Sequence, residues 1–351
     1  MKKTVFIAAL AVVAMASCTK NEISQSTRTN EIKFATPVLA RHTKSVEITD
    51  VNYPQSASFN VYAWYNSGNS FDAEHASPYM TNVQVSHDPG INDATEGTGG
   101  AWVPADNYYW PKQGVLTFDA YSPNGLSGDV TATAEAGITV TNHVVSTTLA
   151  SQQDFLYATR AKSKTSSTGT NATYDGVDIA FNHALAVVKF QAKTADDYHL
   201  TTTIKIKDIK LKQIKNIGTF NQNESTSSPA WSDNPSGSET YVALENNDAS
   251  TSTPVNTELS AVGSSVIVLP QTFAPSTQEL YIEYYIKTSV SNEILQTKSF
   301  YLNTTEVSSA EYSWAIGKRY TYNIVFSLDK VYFAPSVDTW DDITVDPINV
   351  Q

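Results

Sequence analysis

The side chains in this sequence that could do chemistry are six histidines, one cysteine and a scatter of carboxylates along 351 residues. His42, His75, His87, His143, His183 and His199 form neither an HExxH nor an HxH pair, the spacings that bring two imidazoles to one side of an element for zinc. The run HDPGIND at 87–93 offers Asp88, Asn92 and Asp93 as oxygen donors for calcium, but it lacks the ligand spacing of an EF-hand loop, and Asx-rich runs of this kind are ordinarily turns. A glycosidase needs two carboxylates held across a cleft, and sequence neighbours such as Asp341 and Asp342 are not so placed. No GxSxG elbow, Walker loop or GxGxxG follows a strand. The expectation is a protein that is not an enzyme and uses no cofactor or metal.

Cys18 stands in a different setting. Lys2 and Lys3 precede an apolar run from Val5 to Met15, too short to span a bilayer, and Met15-Ala16-Ser17-Cys18 follows. Small residues ahead of the cut are what a signal peptidase admits. The stretch resembles a bacterial lipobox, with Met15 where Leu is commoner. That resemblance implies that Cys18 is diacylated and becomes the mature N-terminus. The alternative is an incidental thiol in a discarded signal peptide, but residues 19–30 (TKNEISQSTRTN) are polar and read as a tether. Each buried CH₂ contributes about 0.8 kcal/mol, so two or three acyl chains hold a protein essentially permanently. With Cys18 lipidated, no thiol is left for a disulfide, catalysis or a metal.

The length makes two domains the default. Hydrophobic residues at 41% against 17% charged suit a folded chain, and 19 tyrosines lean toward strands. The formal charge of -12 becomes -14 once Lys2 and Lys3 leave with residues 1–17. With no dense Lys/Arg run elsewhere, nucleic acid is not an expected partner.

The positioning elements read as strand after strand. FNVYAWYN (59–66), GITVTNHVV (137–145), GVDIAF (176–181), SSVIVLP (264–270), ELYIEYYIK (279–287) and RYTYNIVFSL (319–328) alternate or are rich in β-branched and aromatic residues. Leu280, Ile282, Tyr284 and Ile286 share one face, as do Tyr320, Tyr322, Ile324, Phe326 and Leu328. In YYWPKQGVLTFDAYSP (108–123), Val115, Thr117 and Asp119 oppose Leu116, Phe118 and Ala120, which predicts a half-buried strand. No segment keeps a helical period beyond about three turns, so antiparallel sandwiches are expected rather than a parallel βαβ sheet. KTADDYH at 193–199 suggests a boundary. Beyond it TTTIKIKDIKLKQIKNIGTF carries Lys on alternate positions, read as a solvated face or a guarded sheet edge.

YYWP…GVLTFDAYSP, DFLYA (154–158), IAFNHALAVVKF (179–190), VLPQTF (268–273) and WAIGKRYTYNI (314–324), in that order behind the lipobox, resemble the fimbrillin-like family, the subunits of type V pili of the major and minor fimbria type. The resemblance runs over nearly the whole chain, and its specificity lies in order and spacing. It implies an all-β fold of two tandem transthyretin-like antiparallel β-sandwich domains. The expected division is a lipoprotein signal peptide at 1–17, a tether and removable N-terminal strand at 18–41, an N-terminal sandwich at 42–195, and a C-terminal sandwich with its donor-strand tail at 196–351.

The resemblance also implies assembly. Family precursors reach the outer membrane surface as lipoproteins, an Arg-specific protease removes an N-terminal strand, and another subunit's strand fills the vacated groove. In EIKFATPVLAR, Ile32, Phe34, Thr36, Val38 and Ala40 are expected on one face, with Arg41 directly after as the cleavage site. Arg28 is the alternative, but a cut there would leave the strand attached. The donor strand is expected at WDDITVDPINVQ, through Ile343 and Val345 and, after a phase shift at Pro347, Ile348 and Val350. Stalk, tip and anchor subunits differ at these two ends, and the alternation up to Val350 favours a stalk. The expected partners are other pilus subunits, the outer membrane and the protease, in a fimbria that supports adhesion. The rival reading is a surface glycan-binding lipoprotein of a polysaccharide-uptake system, with Trp64, Trp102, Trp110 and Trp231 exposed for stacking on sugars.

Overall fold

A computed structural model describes residues 30–39, 51–90, 100–166, 176–195, 202–226, 228–232, 234–289, 292–303, 312–327 and 331–340. The signal peptide with Cys18, the two candidate cleavage residues Arg28 and Arg41, and the tail with Ile343, Val345, Ile348 and Val350 lie outside the described residues. Strand makes up 56% of the structure and helix 1%, so the protein is all-β.

Among the described residues the strands fall into five sheets. The largest runs, in spatial order, Val51–Asn52, Val38–Leu39, Ala180–His183, Leu156–Ala158, Val115–Ser122, Ser58–Asn66, Ser77–Asp88 and Ala101–Pro104, with Ala161–Lys164 also on Val115–Ser122. A second sheet joins Gly137–Val144 to Asp129–Thr133 and Ile217–Asn221. The third sets Thr202–Ile214 between Glu239–Glu245 and Glu279–Thr288, with Ile294–Tyr301 at its edge. In the fourth, Ala186–Thr194 and Val331–Thr339 flank Lys318–Phe326. Gln271–Thr272 and Ser313–Trp314 form a short ribbon.

Most pairings are antiparallel, as the alternating strands suggested. The exception of consequence is Ala186–Thr194, which pairs in parallel with Lys318–Phe326 from Val187↔Arg319 to Thr194↔Phe326. A parallel pair needs a long crossover, and the whole third sheet lies within that connection. Ala186–Thr194 lies on the N-terminal side of residue 195, yet its partners are Ser260–Ala261, Val266–Val268 and Lys318–Phe326.

Val115–Ser122 is buried along its full length rather than half-buried. The reason is its place in the layers. On one face Leu116, Phe118 and Ala120 join a core with Ile32, Phe34, Phe59, Trp102 and Phe181. From the other face Tyr121, with Tyr62 and Trp64, joins a second core that includes Phe155, Val188, Ile204, Ile282 and Ile324. Asp119 therefore lies fully inside, and Arg160 answers it: Nε donates to Oδ1 at 2.7 Å and Nη2 to Oδ2 at 2.7 Å, while Trp64 Nε1 donates to Oδ2 at 2.8 Å. Arg160 Nη1 also donates to the Ala134 carbonyl at 2.7 Å, which ties the large sheet to the loop after Asp129–Thr133.

The lysine row of Thr202–Ile214 is a solvent-side face of an inner strand, not a guarded edge, because strands hydrogen-bond to both sides of it. Lys205 meets Glu293 at 2.8 Å, Lys207 meets Glu283 at 2.6 Å and Lys210 meets Glu245 at 3.0 Å. Such pairs tune solubility more than stability.

His143 is buried against Phe155 and Trp231, with Nδ1 2.9 Å from the Ser127 carbonyl. Burial holds its pKa below the ordinary imidazole value, and the Ser127 bond offsets this only partly. The unfolded chain then binds the extra proton first. The stability this neutral ring contributes is present above about pH 6.5 and is lost as pH falls toward the depressed folded value. Urea midpoints measured between pH 8 and pH 5 should drop over this window, and His143→Gln should flatten the drop. An unchanged slope in the variant would assign the acid sensitivity elsewhere.

Candidate functional site: the slot of the N-terminal strand

The site is built around residues 30–39. This segment lies between two stretches of chain and hydrogen-bonds to both. On one side Ile32 N–H donates to the Tyr108 carbonyl at 2.8 Å, Phe34 N–H to the Trp102 carbonyl at 3.0 Å, and Trp110 N–H to the Asn30 carbonyl at 2.9 Å. On the other, Ala35 N–H donates to the Val177 carbonyl at 3.1 Å, Val177 N–H to the Lys33 carbonyl at 2.9 Å, and Val38 N–H to the Ile179 carbonyl at 3.0 Å. Pairing is antiparallel toward Trp102 and Tyr109 and parallel toward Val177, Ala180 and Phe181. The segment fills a slot rather than capping an edge.

Ile32 and Phe34 are almost fully buried. The Phe34 ring stands edge-on to Phe59 at 5.7 Å and to Phe118 at 5.7 Å, and Tyr53, Trp102 and Phe181 continue this aromatic floor. The run at 108–123 serves this slot. Phe118 forms part of the floor, Trp110 packs edge-on against Phe118, and Tyr108 supplies a backbone acceptor. Beyond Phe34 the alternation changes phase. Pro37 is the next buried residue, Thr36 and Val38 are only partly covered, and Leu39 packs on the core. The expected single face of Ile32, Phe34, Thr36, Val38 and Ala40 therefore holds only for its first two members, and Ala40 lies outside the described residues. The cause is Pro37: it has no N–H to donate, and the chain turns so that its carbonyl accepts from Tyr53 N–H at 2.9 Å. Burial pushes the Tyr53 phenol pKa up, and its hydroxyl lies 2.6 Å from Ser122 Oγ, so the slot is neutral and apolar apart from its backbone.

Sequence reasoning misses Gly176. A Cβ on it would lie 2.3 Å from the Phe34 carbonyl carbon and 2.4 Å from the Ala35 nitrogen. Only a residue without a side chain lets residues 30–39 pass. The signal available in the sequence is no more than one glycine at the head of a strand.

The other candidates dissolve into structure. Trp64, Trp102 and Trp231 are buried, not exposed, and Trp110 is half-covered, so these four do not form the exposed stacking surface that the rival glycan-binding reading expects of them. Their indole nitrogens are used inside: Trp64 on Asp119, Trp231 on the Ala184 carbonyl at 2.6 Å. Asp88 Oδ1 accepts from Gly90 N–H at 2.8 Å, an Asx turn, while Asn92 and Asp93 lie outside the described residues. A cavity of about 440 Å³ is lined by Ser127, His143, Asn216 and Glu239 among others. Its Ser–His contact of 3.0 Å resembles a dyad but is spent on backbone: His143 Nδ1 faces the Ser127 carbonyl, and Ser127 Oγ donates to the Val144 carbonyl at 2.9 Å.

No curated protein matches the chain. A fimbrial protein from Bacteroides vulgatus shares the fold at a TM-score of 0.65 and 16% identity, over 89% of this chain and 100% of that one. Candidate cell adhesion proteins from Bacteroides uniformis and Bacteroides ovatus each match at 16% identity and a TM-score of 0.49, over 89% and 90% of this chain and 98% of theirs. A sequence model described as fimbrillin-like matches residues 43–340, well over half the chain. The protein belongs to the fimbrillin-like family.

Proposed function

We propose that this chain is a structural subunit of a surface fimbria, exported as an outer-membrane lipoprotein through Cys18, cleaved after Arg41 and polymerised by strand exchange into a fibre that supports adhesion. The slot around residues 30–39 carries this reading. It is a two-sided backbone site with an aromatic floor, occupied by residues 30–39, the first of the described segments. Emptied, it would expose unpaired donors and acceptors on two edges at once, the condition that recruits another strand.

The arginines support the choice of cut. The chain has four, Arg28, Arg41, Arg160 and Arg319. Arg160 is locked in the buried pair with Asp119, and Arg319 lies in Lys318–Phe326 with strands on both sides. The other two precede and follow the docked strand. A cut after Arg28 leaves the strand joined to the domain, whereas a cut after Arg41 frees it.

The test uses purified, non-lipidated full-length precursor and an Arg-specific protease. Cleaved protein should give ladders of SDS-resistant multimers, because every main-chain bond of an exchanged strand must break together. Arg41→Ala and a truncation after Asp342 should both stay monomeric, and Arg28→Ala should behave as wild type. Cleaved wild type that stays monomeric at high concentration, with intact protein binding a polysaccharide, would move the assignment to a glycan-binding lipoprotein.

A further inference from the structure

We infer that the slot accepts the C-terminal tail of a second copy of this chain in one register, with Ile343 replacing Ile32, Val345 replacing Phe34, Ile348 replacing Pro37 and Val350 replacing Leu39. The inference rests on the strand-exchange reading, which already takes the tail as donor, and goes beyond it in fixing the register and the polarity. Its basis is the phase change of the docked strand. The residues turned to the core are 32, 34, 37 and 39, separated by two, three and two positions. In the tail, the apolar residues Ile343, Val345, Ile348 and Val350 repeat those separations, including the extra residue in the middle. A plain alternating strand would match the first pocket pair and then present its polar face to the second.

The backbone agrees. The amides that hold the resident strand to its neighbours include those of Ile32, Phe34, Ala35 and Val38, and none of these bonds comes from Thr36. The register sets Ile343, Val345, Asp346 and Asn349 on the four donating positions and Pro347 on Thr36, so the residue without an N–H falls where the slot does not use one. The spacing is its own mirror image, so a reversed tail would also reach the pockets. It would, however, bring Pro347 to the place of Ala35, whose amide donates to Val177. The same polarity as the resident strand is therefore the one inferred. In that polarity Val345 and Asp346 pass over Gly176. The fit is loose at one point, because Val345 leaves part of the space between Phe59 and Phe118 that Phe34 fills.

The register is testable by cross-linking. Val38 is the parallel neighbour of Ala180, and adjacent strands lie within the Cα range of a disulfide. Full-length chains carrying Cys18→Ser are prepared with Ala180→Cys or with Asn349→Cys, mixed, cleaved with the Arg-specific protease and oxidised. Inter-chain disulfides are expected for this pair after cleavage and not before. Thr344→Cys, which only the reversed polarity brings to Ala180, should not link. Multimers linked through Thr344→Cys, or linked by neither pair, would overturn the register while leaving strand exchange intact; absence of any multimer would overturn the exchange reading itself. A second arm avoids changes to the folded core. Val345→Phe should slow multimer dissociation about tenfold, by filling the space left in the Phe34 pocket, and Val345→Asp should abolish multimers. Equal dissociation rates for Val345→Phe and wild type would likewise remove Val345 from that pocket.

Discussion

Asp119→Ala is expected to lower the unfolding free energy by about 3–5 kcal/mol, the usual result of leaving one partner of a buried ion pair without its counter-charge. Asp119 is fully enclosed and accepts three hydrogen bonds, two from Arg160 and one from Trp64. Removing it leaves a guanidinium in a low-dielectric layer with the Ala134 and Thr133 carbonyls at 2.7 and 3.3 Å as hydrogen-bond acceptors and Glu224 Oε2 at 3.9 Å as a nearby carboxylate, too far for a hydrogen bond. It also leaves the Trp64 indole N–H without its acceptor. The double variant Asp119→Ala with Arg160→Met should be less destabilised than the single change, because it removes the charge that the single change strands. Denaturant midpoints for the two singles and the double make the cycle. A cost below about 1 kcal/mol for Asp119→Ala would mean that Arg160 finds water or another carboxylate, and the pair would lose its role as the tie between layers.

Gly176→Ala is expected to expel residues 30–39 from their slot. The added methyl would lie 2.3 Å from backbone, which cannot rotate aside as a side-chain tip can. Since φ at Gly176 is not in the left-handed region, the effect is one of space alone. Losing the burial of Ile32 and Phe34 would cost on the order of 4 kcal/mol at about 2 kcal/mol for each large apolar side chain. Hydrogen exchange reads this directly. The amides of Ile32, Phe34, Ala35 and Val38 should lose protection, while those of Val115–Ser122 keep theirs. Unchanged protection at the four amides would show that the two backbones can part without cost. In the strand exchange proposed above an incoming strand would cross the same point, so the variant should also give fewer multimers after cleavage.

The strands themselves are legible in the sequence because a period of two needs only local order. FNVYAWYN, ELYIEYYIK and RYTYNIVFSL correspond to Ser58–Asn66, Glu279–Thr288 and Lys318–Phe326. What a strand packs against is not local. Val115–Ser122 alternates in sequence as a one-sided strand does, yet both its faces are covered, and the polar face is covered because Arg160 neutralises Asp119. An Asp in the middle of an apolar run is the available sign, and it has meaning only once its counter-charge, 41 residues on, is known. The docked segment is legible in part, through the alternation that buries Ile32 and Phe34. Its phase change is not, since the cue, Pro37, says that an amide is missing but not which way the chain turns. Gly176 is least legible of all, because the need for it comes from a backbone some 140 residues earlier.

The strand Val331–Thr339 pairs with Lys318–Phe326 along nine consecutive positions, from Lys318↔Thr339 to Phe326↔Val331, and the tail departs directly from its end at Trp340. In a fibre of the kind proposed above, consider tension applied to the chain after Trp340 along the axis of this strand. The ladder would then be loaded in shear, with its rungs sharing the force, rather than peeled open one rung at a time. Trp340, its ring stacked on His183 at 4.0 Å and its backbone N–H donating to the Gly317 carbonyl at 3.1 Å, sits at the end of the strand where such a load would act. Under such a load this end of the domain would have the geometry of a lap joint, which fails only when all its rungs fail together.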